Sequence, residues 1–134
     1  MPATTATPTT AFELVTPEKI LLELPARMVV MPGSLGRFGV LPRHTPMLVN
    51  LQFGVVDIYG DKATGNATSG KPSQKVLIDD GIVDVTHDKC LLLASRAEVL
   101  DKSRTGEIKQ KRDSAKRRGN DQDVAFLEKV LEAI

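Results

Sequence analysis

The sequence changes character once, near residue 98, and this change limits the fold more than any other feature. From Phe12 to Ala94, short apolar runs are separated by turn-forming residues, a pattern typical of a small all-β sandwich or barrel. From Glu98 onward the chain has no proline and many helix formers. We therefore predict a mixed, mainly β fold. An N-terminal β-sandwich of short antiparallel strands precedes a C-terminal antiparallel hairpin of two helices.

Three segments are predicted along the 134 residues. Residues 1–11 (MPATTATPTTA) have too little apolar surface to bury and are expected to form a disordered tail without a secretory or mitochondrial targeting pattern. Residues 12–97 form the β-sandwich domain, in which Asp61–Pro72 is a mobile surface loop. Residues 98–134 form the helical hairpin. The strands are expected near Phe12–Thr16, Ile20–Leu24, Ala26–Met31, Phe38–Leu41, Met47–Leu51, Val55–Tyr59, Lys75–Asp79, Ile82–Val85 and Cys90–Ala94.

Capping residues predict the ends of the two helices. Asp101 is a suitable N-cap for a helix that runs to about Arg118, and Gly119-Asn120 supplies left-handed residues to end it. Asp121 or Asp123 is expected to cap the second helix. Apolar residues in this second helix recur at helical spacing: Val124, Leu127, Val130, Leu131 and Ile134. Neither helix is long enough to be stable alone, so the hairpin must pack on another surface.

The residue inventory offers little material for catalysis or for a cofactor. The chain has one cysteine, Cys90, expected to be a buried inert thiol, and two histidines, neither of them beside a nucleophile-elbow serine. Acidic and histidine residues cluster in the order Asp79, Asp80, Asp84, His87 and Asp88. Turn formation explains these residues better than metal binding does. We predict no catalytic residues, no metal and no cofactor.

Charge gives no global attraction to nucleic acid, because 18 Lys and Arg face 17 Asp and Glu, for a net charge of +1. A basic run lies in the first helix: Lys109, Lys111, Arg112, Lys116, Arg117 and Arg118. No aromatic residue interleaves with it to stack on bases, so a solvated helix face is favoured. Two alternatives stay open from composition alone. One is a nucleic-acid-binding β-barrel with a basic tail, and the other is an enzyme that uses the Asp/His cluster.

One segment is far more specific than the rest. Residues 31–48 read MPGSLGRFGVLPRHTPML, which resembles the "PGxxGxFGVLPxHxPL" signature of the epsilon subunits of F-type ATP synthases, called delta in mitochondria. Four other segments are similar to that family: residues 12–18 (FELVTPE) to "VTPE", residues 51–56 (LQFGVV) to "LxPGVV", residues 80–85 (DGIVDV) to "GGxxEV", and residues 90–98 (CLLLASRAE) to "VxxLAxxAE". The resemblance spans Phe12 to Ile134.

The resemblance implies a central-stalk subunit that couples rotation of the c-ring to the gamma subunit and to ATP synthesis without doing chemistry itself. It implies that the β domain binds gamma and the c-ring, while the hairpin can reach the alpha and beta subunits. With no targeting pattern, the expected location is peripheral, at the cytoplasmic face of the bacterial inner membrane. No nucleic acid is expected as a partner.

By the same resemblance, the residues facing the c-ring are Ser34, Leu35, Gly36, Arg37 and His44. Positions 35 and 37 are commonly acidic in bacterial relatives, so this chain has lost one charge and reversed another. Two explanations stay open. Either the c-ring carries a compensating change, or the contact is made through backbone and lipid-side groups.

Residues 100–105 (LDKSRT) resemble the first part of the family's ATP motif, "I/LDxxRA", with Asp101 and Arg104 matched. The rest of the motif is absent, since its acidic partner aligns with Ser95 and residues 121–134 contain no arginine. We therefore predict weak or absent ATP sensing and inhibition, with the hairpin packed on its own sandwich or on gamma. Asp101 is then a helix cap and Arg104 a solvated side chain.

Overall fold

The elements follow the predicted order, with strands first and helices last. A computed structural model describes residues 8–60 and 71–134. Its strands are β1 (Thr10–Val15), β2 (Ile20–Gly33), β3 (Gly36–Val40), β4 (Met47–Leu51), β5 (Gly54–Gly60), β6 (Gln74–Ile78), β7 (Gly81–Val85), β8 (Lys89–Ala94) and β9 (Ala97–Val99). A 3-10 helix over Lys102–Arg104 leads into α1 (Thr105–Arg117), and α2 (Asp121–Ala133) follows. The mixed, mainly β fold with a C-terminal helix pair is confirmed.

Strand β2 joins the two layers of the sandwich. Its first half pairs antiparallel with β1, and its second half pairs with β3 and β5. β1 pairs parallel with β8, β8 pairs antiparallel with β7, and β7 pairs antiparallel with β4. Because Leu51 at the end of β4 lies opposite Gly33 at the end of β2, this ladder closes on itself. On the other side of β2, β5 pairs with β6 and β6 with β9.

The prediction of two strands separated at Pro25 is wrong, since β2 runs through this proline as one 14-residue strand. Pro25 lies opposite Ala11 of β1, beside the point where β2 takes up β5 as a partner. The register shifts there by one residue, and the extra residue, Arg27, donates from Nε to the carbonyl of Gly60 at 2.6 Å. Proline is tolerated at such irregularities because a regular ladder hydrogen bond is not required of it.

Two segment boundaries also need correction. Thr10 and Ala11, assigned to the tail, begin β1, and Thr10 is buried. Strand β9 was missed, and it crosses the expected boundary between residues 97 and 98 by pairing with β6. Residues 1–7 of the tail and 61–70 of the loop Asp61–Pro72 lie outside the described residues.

The main core lies between the sandwich layers and is built by strict alternation. In β1, β7 and β8 every second side chain is buried, as in Phe12 and Leu14, or Val83 and Val85. Alternation places one face of each strand inside and the other outside. Cys90 belongs to this core and is fully buried, as predicted.

The hairpin ends differ in part from the prediction. Asp101 does cap, but it caps the 3-10 helix, accepting from the backbone of Ser103 at 3.0 Å. Gly119 has a positive φ of 73°, whereas Asn120 does not. The residue that caps α2 is Asn120, whose side-chain oxygen accepts from the backbone amide of Asp123 at 3.2 Å. The prediction that Asp121 or Asp123 is the cap is wrong. Neither helix in the described ranges is long and apolar enough to cross a membrane.

Candidate functional site

The β2–β3 hairpin ends in a tight turn over residues 33–36, called here the β2–β3 tip. Gly36 has a φ of 129°, which side chains rarely allow. Gly33 is required for a different reason, because there is no room for a side chain at this position. A Cβ on Gly33 would lie 2.9 Å from the Gly36 carbonyl oxygen and 2.9 Å from the ring of Phe38. The two glycines let the chain reverse sharply and push the intervening residues outward.

Leu35 is the most prominent side chain of the tip. It is completely exposed, at 103% of its reference area, and Ser34 and Gly36 beside it are also exposed. The structure therefore brings Ser34, Leu35 and Gly36 together on one projecting surface.

Arg37 lies beside the tip but turns back onto the sheet. Its Nη1 donates to the carbonyl of Val55 at 2.7 Å, and its Nη2 lies 3.0 Å from Oδ2 of Asp57. Both partners belong to β5. Asp57 could not be chosen as a partner from the sequence, because it is 20 residues away from Arg37 and looks like an ordinary outward-facing strand residue.

His44 is not brought to the tip. It follows β3, which leads away from the tip, and precedes β4, which returns to the tip end at Leu51. A five-residue strand spans about 17 Å, so His44 lies near the opposite end of the sheet. There the imidazole is partly exposed, with Nδ1 2.7 Å from the carbonyl of Thr45. The five residues predicted to face the c-ring therefore lie in two separate places, residues 34–37 at or beside the tip and His44 beyond the far end of β3.

The helical hairpin is packed against the sandwich, and the contact between the two is the second candidate region. A small apolar cluster joins Leu77 of β6 to four buried side chains of the helices: Ile108, Phe126, Leu127 and Val130. Val55 and Leu100 pack on this cluster from the sandwich side. The expected packing of the hairpin on its own sandwich is therefore present in this structure.

Arg96, in the turn between β8 and β9, ties the start of α2 to the sandwich. Its Nε donates to Asp123 at 2.7 Å, Nη2 donates to Gln122 at 3.1 Å, and Nη1 lies 3.1 Å from Asp79. The hydrogen bond to Asp123 is the main cause that raises the pKa of Arg96. The Arg96 guanidinium thus connects the β8–β9 turn to Asp79, which follows β6, and to the start of α2. Sequence analysis alone did not identify Arg96.

Glu98 of β9 ties α1 down in the same way. It accepts from Arg104 at 2.9 Å and from Lys111 at 3.2 Å, and Arg104 also pairs with Glu107. Partial burial disfavours the charged guanidinium, but hydrogen bonds to Glu107 and Glu98 outweigh it and raise the pKa of Arg104. Arg104 further donates to the carbonyl of Val99 at 2.8 Å.

The residues of the partial ATP motif therefore have structural partners. Hydrogen bonds from Ser103 lower the pKa of Asp101, as expected for a capping carboxylate. The expectation that Arg104 is solvated is wrong, since its side chain is 21% exposed and paired. A cavity of about 530 Å³ adjoins Arg104 between the hairpin and the sandwich, but acidic side chains line it as well as basic ones.

The acidic cluster and the cysteine have ordinary surroundings. Asp79 pairs with Arg96, Asp80 accepts from Ser95, and His87 contacts its neighbour Asp88 at 3.2 Å. Within residues 8–60 and 71–134, no group of three or more such side chains is placed to hold a metal. Desolvation raises the pKa of the Cys90 thiol from 9.0 to about 12, so this thiol is a poor nucleophile.

Sequence comparison points to one family. Residues 9–99 match the family described as "ATP synthase, Delta/Epsilon chain, beta-sandwich domain". The chain is 44% identical over 90 residues to the "ATP synthase epsilon chain" of Rhodospirillum centenum, a stretch that covers 67% of this chain and 58% of that relative. The match to the epsilon chain of Rhodospirillum rubrum likewise spans 60% of the relative. With the epsilon chain of Granulibacter bethesdensis, identity is 33% over 128 residues, 93% of this chain and 89% of the relative.

Solved structures agree on the fold. One is a chain from the mitochondrial ATP synthase of Euglena gracilis, described as OSCP/F1/c-ring, with a TM-score of 0.62 and 16% identity over 99% of this chain and 85% of the other. Another is from the central stalk/c-ring of the Tetrahymena thermophila mitochondrial ATP synthase, with a TM-score of 0.56 and 17% identity over 95% and 99%. Fold, signature and sequence identity converge: the chain belongs to the ATP synthase delta/epsilon family, and residues 9–99 are its β-sandwich domain.

Proposed function

We propose that this chain is the central-stalk epsilon subunit of a proton-translocating F-type ATP synthase. In this function it couples rotation of the c-ring to the gamma subunit, and so to ATP synthesis, while contributing no catalytic residue. The match of residues 9–99 to the family's sandwich domain carries the proposal. The relatives are named ATP synthase epsilon chains, and one structural neighbour comes from a central stalk/c-ring; both support the proposal.

The mechanics of the sandwich suit a part that transmits torque. Strand β2 belongs to both layers, and the ladder through β1, β8, β7 and β4 returns to it. Such a closed hydrogen-bonded ladder has few free edges at which it could deform. A load applied at the β2–β3 tip therefore passes along β2 into the whole domain.

A contact area for gamma is proposed on the outer face of β8, β7 and β4. Leu93 and Leu48 on this face are 44% and 67% exposed. Val15, Leu93 and Ile82 lie side by side in register, and all three line an open cavity of about 610 Å³. Exposed apolar residues that form a continuous row are typical of a protein interface.

The hairpin is proposed to have weak or absent ATP sensing and inhibition. Arg104, the basic residue that matches the partial motif, is already bound to Glu98 and Glu107. α2 carries four acidic residues and only Lys129 as a cation, so long-range attraction to an acidic surface is unfavourable. Titration of the full chain with ATP should give no heat of binding at micromolar concentrations, and a micromolar dissociation constant would contradict this.

We place the subunit peripherally at the cytoplasmic face of the bacterial inner membrane, held there by the complex. The test is to purify a tagged copy of the chain from detergent-solubilised membranes and identify the proteins that accompany it. Recovery of alpha, beta, gamma and c subunits is expected. Recovery of nucleic acid or unrelated proteins without synthase subunits would contradict the proposal.

A further inference from the structure

Residues 51–55, called here the β4–β5 segment, support the base of the β2–β3 tip. The amide of Gln52 donates to the carbonyl of Pro32, the residue before the tip, at 3.0 Å. Gly54 packs closely on the same proline, since a Cβ on Gly54 would lie 2.7 Å from the Cβ of Pro32. A backbone hydrogen bond and close packing thus join the segment to the strand that enters the tip.

The strand that leaves the tip is joined to the same segment. Arg37, the first residue after the tip, donates from Nη1 to the carbonyl of Val55 at 2.7 Å. At the other end of the segment, Leu51 lies opposite Gly33, the first residue of the tip. Both sides of the tip are therefore fixed to residues 51–55.

The helical hairpin contacts the β4–β5 segment as well. Nζ of Lys129 in α2 lies 5.1 Å from the centroid of the Phe53 ring, within the distance at which a cation is attracted to an aromatic face. Val55 packs on the apolar cluster that the buried side chains of the helices form with Leu77. Val55 thus serves both neighbours, because its carbonyl binds Arg37 while its side chain packs on the hairpin.

We propose that the β4–β5 segment couples the hairpin to the β2–β3 tip, so that release of α2 loosens the tip and loosening of the tip weakens the docking of α2. Docking of α2 restricts the motion of Phe53 and Val55, and a segment that is already ordered loses less entropy when it binds the tip. A coupling free energy of this kind is the same from either side. It lies within the chain and does not depend on the proposed function.

The coupling is tested from the hairpin side by residue-resolved amide exchange, measured by NMR on the full chain. Lys129→Ala removes the cation over Phe53 and should speed exchange about twofold to fivefold, at Gln52 and residues 36–38 as well as in α2. Lys129→Arg keeps a cation for the ring and should restore the rates of the unaltered chain. Glu128→Ala is the matched control, because Glu128 is exposed on α2 about 100° around the helix from Lys129. It should leave the amides of the tip unchanged.

The reverse direction is tested from the tip. Arg37→Gln removes the bond from the guanidinium to Val55 and should speed exchange at residues 126–130 of α2 by a similar factor, because the coupling is reciprocal. Arg43→Gln is the control on this side. Arg43 is also an exposed arginine, but it lies beyond the end of β3 that is far from the tip. Its variant should leave α2 unchanged.

Three results would overturn the coupling. Unchanged exchange at Gln52 and residues 36–38 in Lys129→Ala would show that the tip is independent of the hairpin, whether or not α2 exchanges faster. Equal acceleration at Val83 and Leu92, in the core between the sandwich layers, would show a general loss of stability instead. A Lys129→Arg variant that exchanges as fast as Lys129→Ala would exclude the cation as the link.

Discussion

At the scale of single residues, Gly33 and Gly36 shape the β2–β3 tip for different reasons. Gly36 needs its positive φ, while Gly33 lies where a methyl group would collide with the backbone of Gly36 and the ring of Phe38. The sequence predicts a glycine-rich turn here. It does not show which glycine is required by conformation and which by space, because that depends on the neighbouring strand.

Gly33→Ala should destabilise the chain by about 1–3 kcal/mol, since backbone atoms must move to admit the methyl group. Urea unfolding of the full chain measures this change. Gly106→Ala is the matched control, because its Cβ would meet nothing within 4 Å on the exposed start of α1. Alanine there should be neutral or stabilising by up to about 1 kcal/mol. Equal losses for both variants would contradict the steric argument.

The buried thiol of Cys90 predicts a pH dependence. Burial raises its pKa from 9.0 to about 12, so between these values the folded chain binds more protons than the unfolded chain. The contribution of Cys90 to the free energy of unfolding is therefore fully present below pH 9.0 and is lost as the pH rises toward about 12. Cys90→Ala should reduce this alkaline loss in urea titrations. An identical loss in the variant would show that another group causes it.

Arg37 shows where residue-level prediction from sequence stops. Its place beside a turn can be predicted from the glycines, and the family resemblance implies that it faces a partner. The ion pair with Asp57 could not be predicted, because it depends on β5 lying two strands away from β3 in the sheet. Long-range pairs of this kind are set by strand order, which local pattern does not reveal.

At the scale of elements, strands with clear alternation were located well and irregular ones were not. β4 matches its predicted bounds, and β7 and β8 extend theirs by one residue each, because the turns on either side are short. The sequence predicts two strands separated at Pro25 where β2 is continuous, because the change of pairing that accommodates a proline is a tertiary feature. The three-residue β9 has no alternation to detect and forms only because β6 offers an edge.

The hairpin should detach more easily when its ion pairs are removed. Arg96→Ala breaks the links from the β8–β9 turn to Asp123 and Gln122, and should cost about 1 kcal/mol because all these groups are partly exposed. Amide exchange should quicken in α2 more than in α1, which Glu98 still holds. Hydrogen exchange with mass spectrometry measures both helices in one sample.

The control for this variant is Arg112→Ala, which removes an ion pair that lies within α1, with the adjacent Asp113. Its exchange pattern in α2 should match that of the unaltered chain. Equal loosening of α2 in both variants would contradict the role given to Arg96. Higher salt should reduce the difference between Arg96→Ala and the unaltered chain, because partly exposed charges are screened.

At the scale of the whole molecule, a closed sandwich carries a projecting apolar tip, and a helical hairpin is packed on it. The two apolar clusters are separate, one between the sandwich layers and one between β6 and the helices. The second is much smaller, so the hairpin is held with fewer apolar contacts than the strands are. This difference is consistent with a rigid sandwich that transmits torque and a helical hairpin that stays docked on it with the help of ion pairs.

The central claim is that this chain couples rotation to proton movement. The most direct test compares ATP hydrolysis with ATP-driven proton pumping in membrane vesicles whose synthase is assembled with and without the full chain. We predict that the number of protons pumped per ATP hydrolysed falls sharply without the chain and is restored when the chain is added back. An unchanged ratio in its absence would contradict the account.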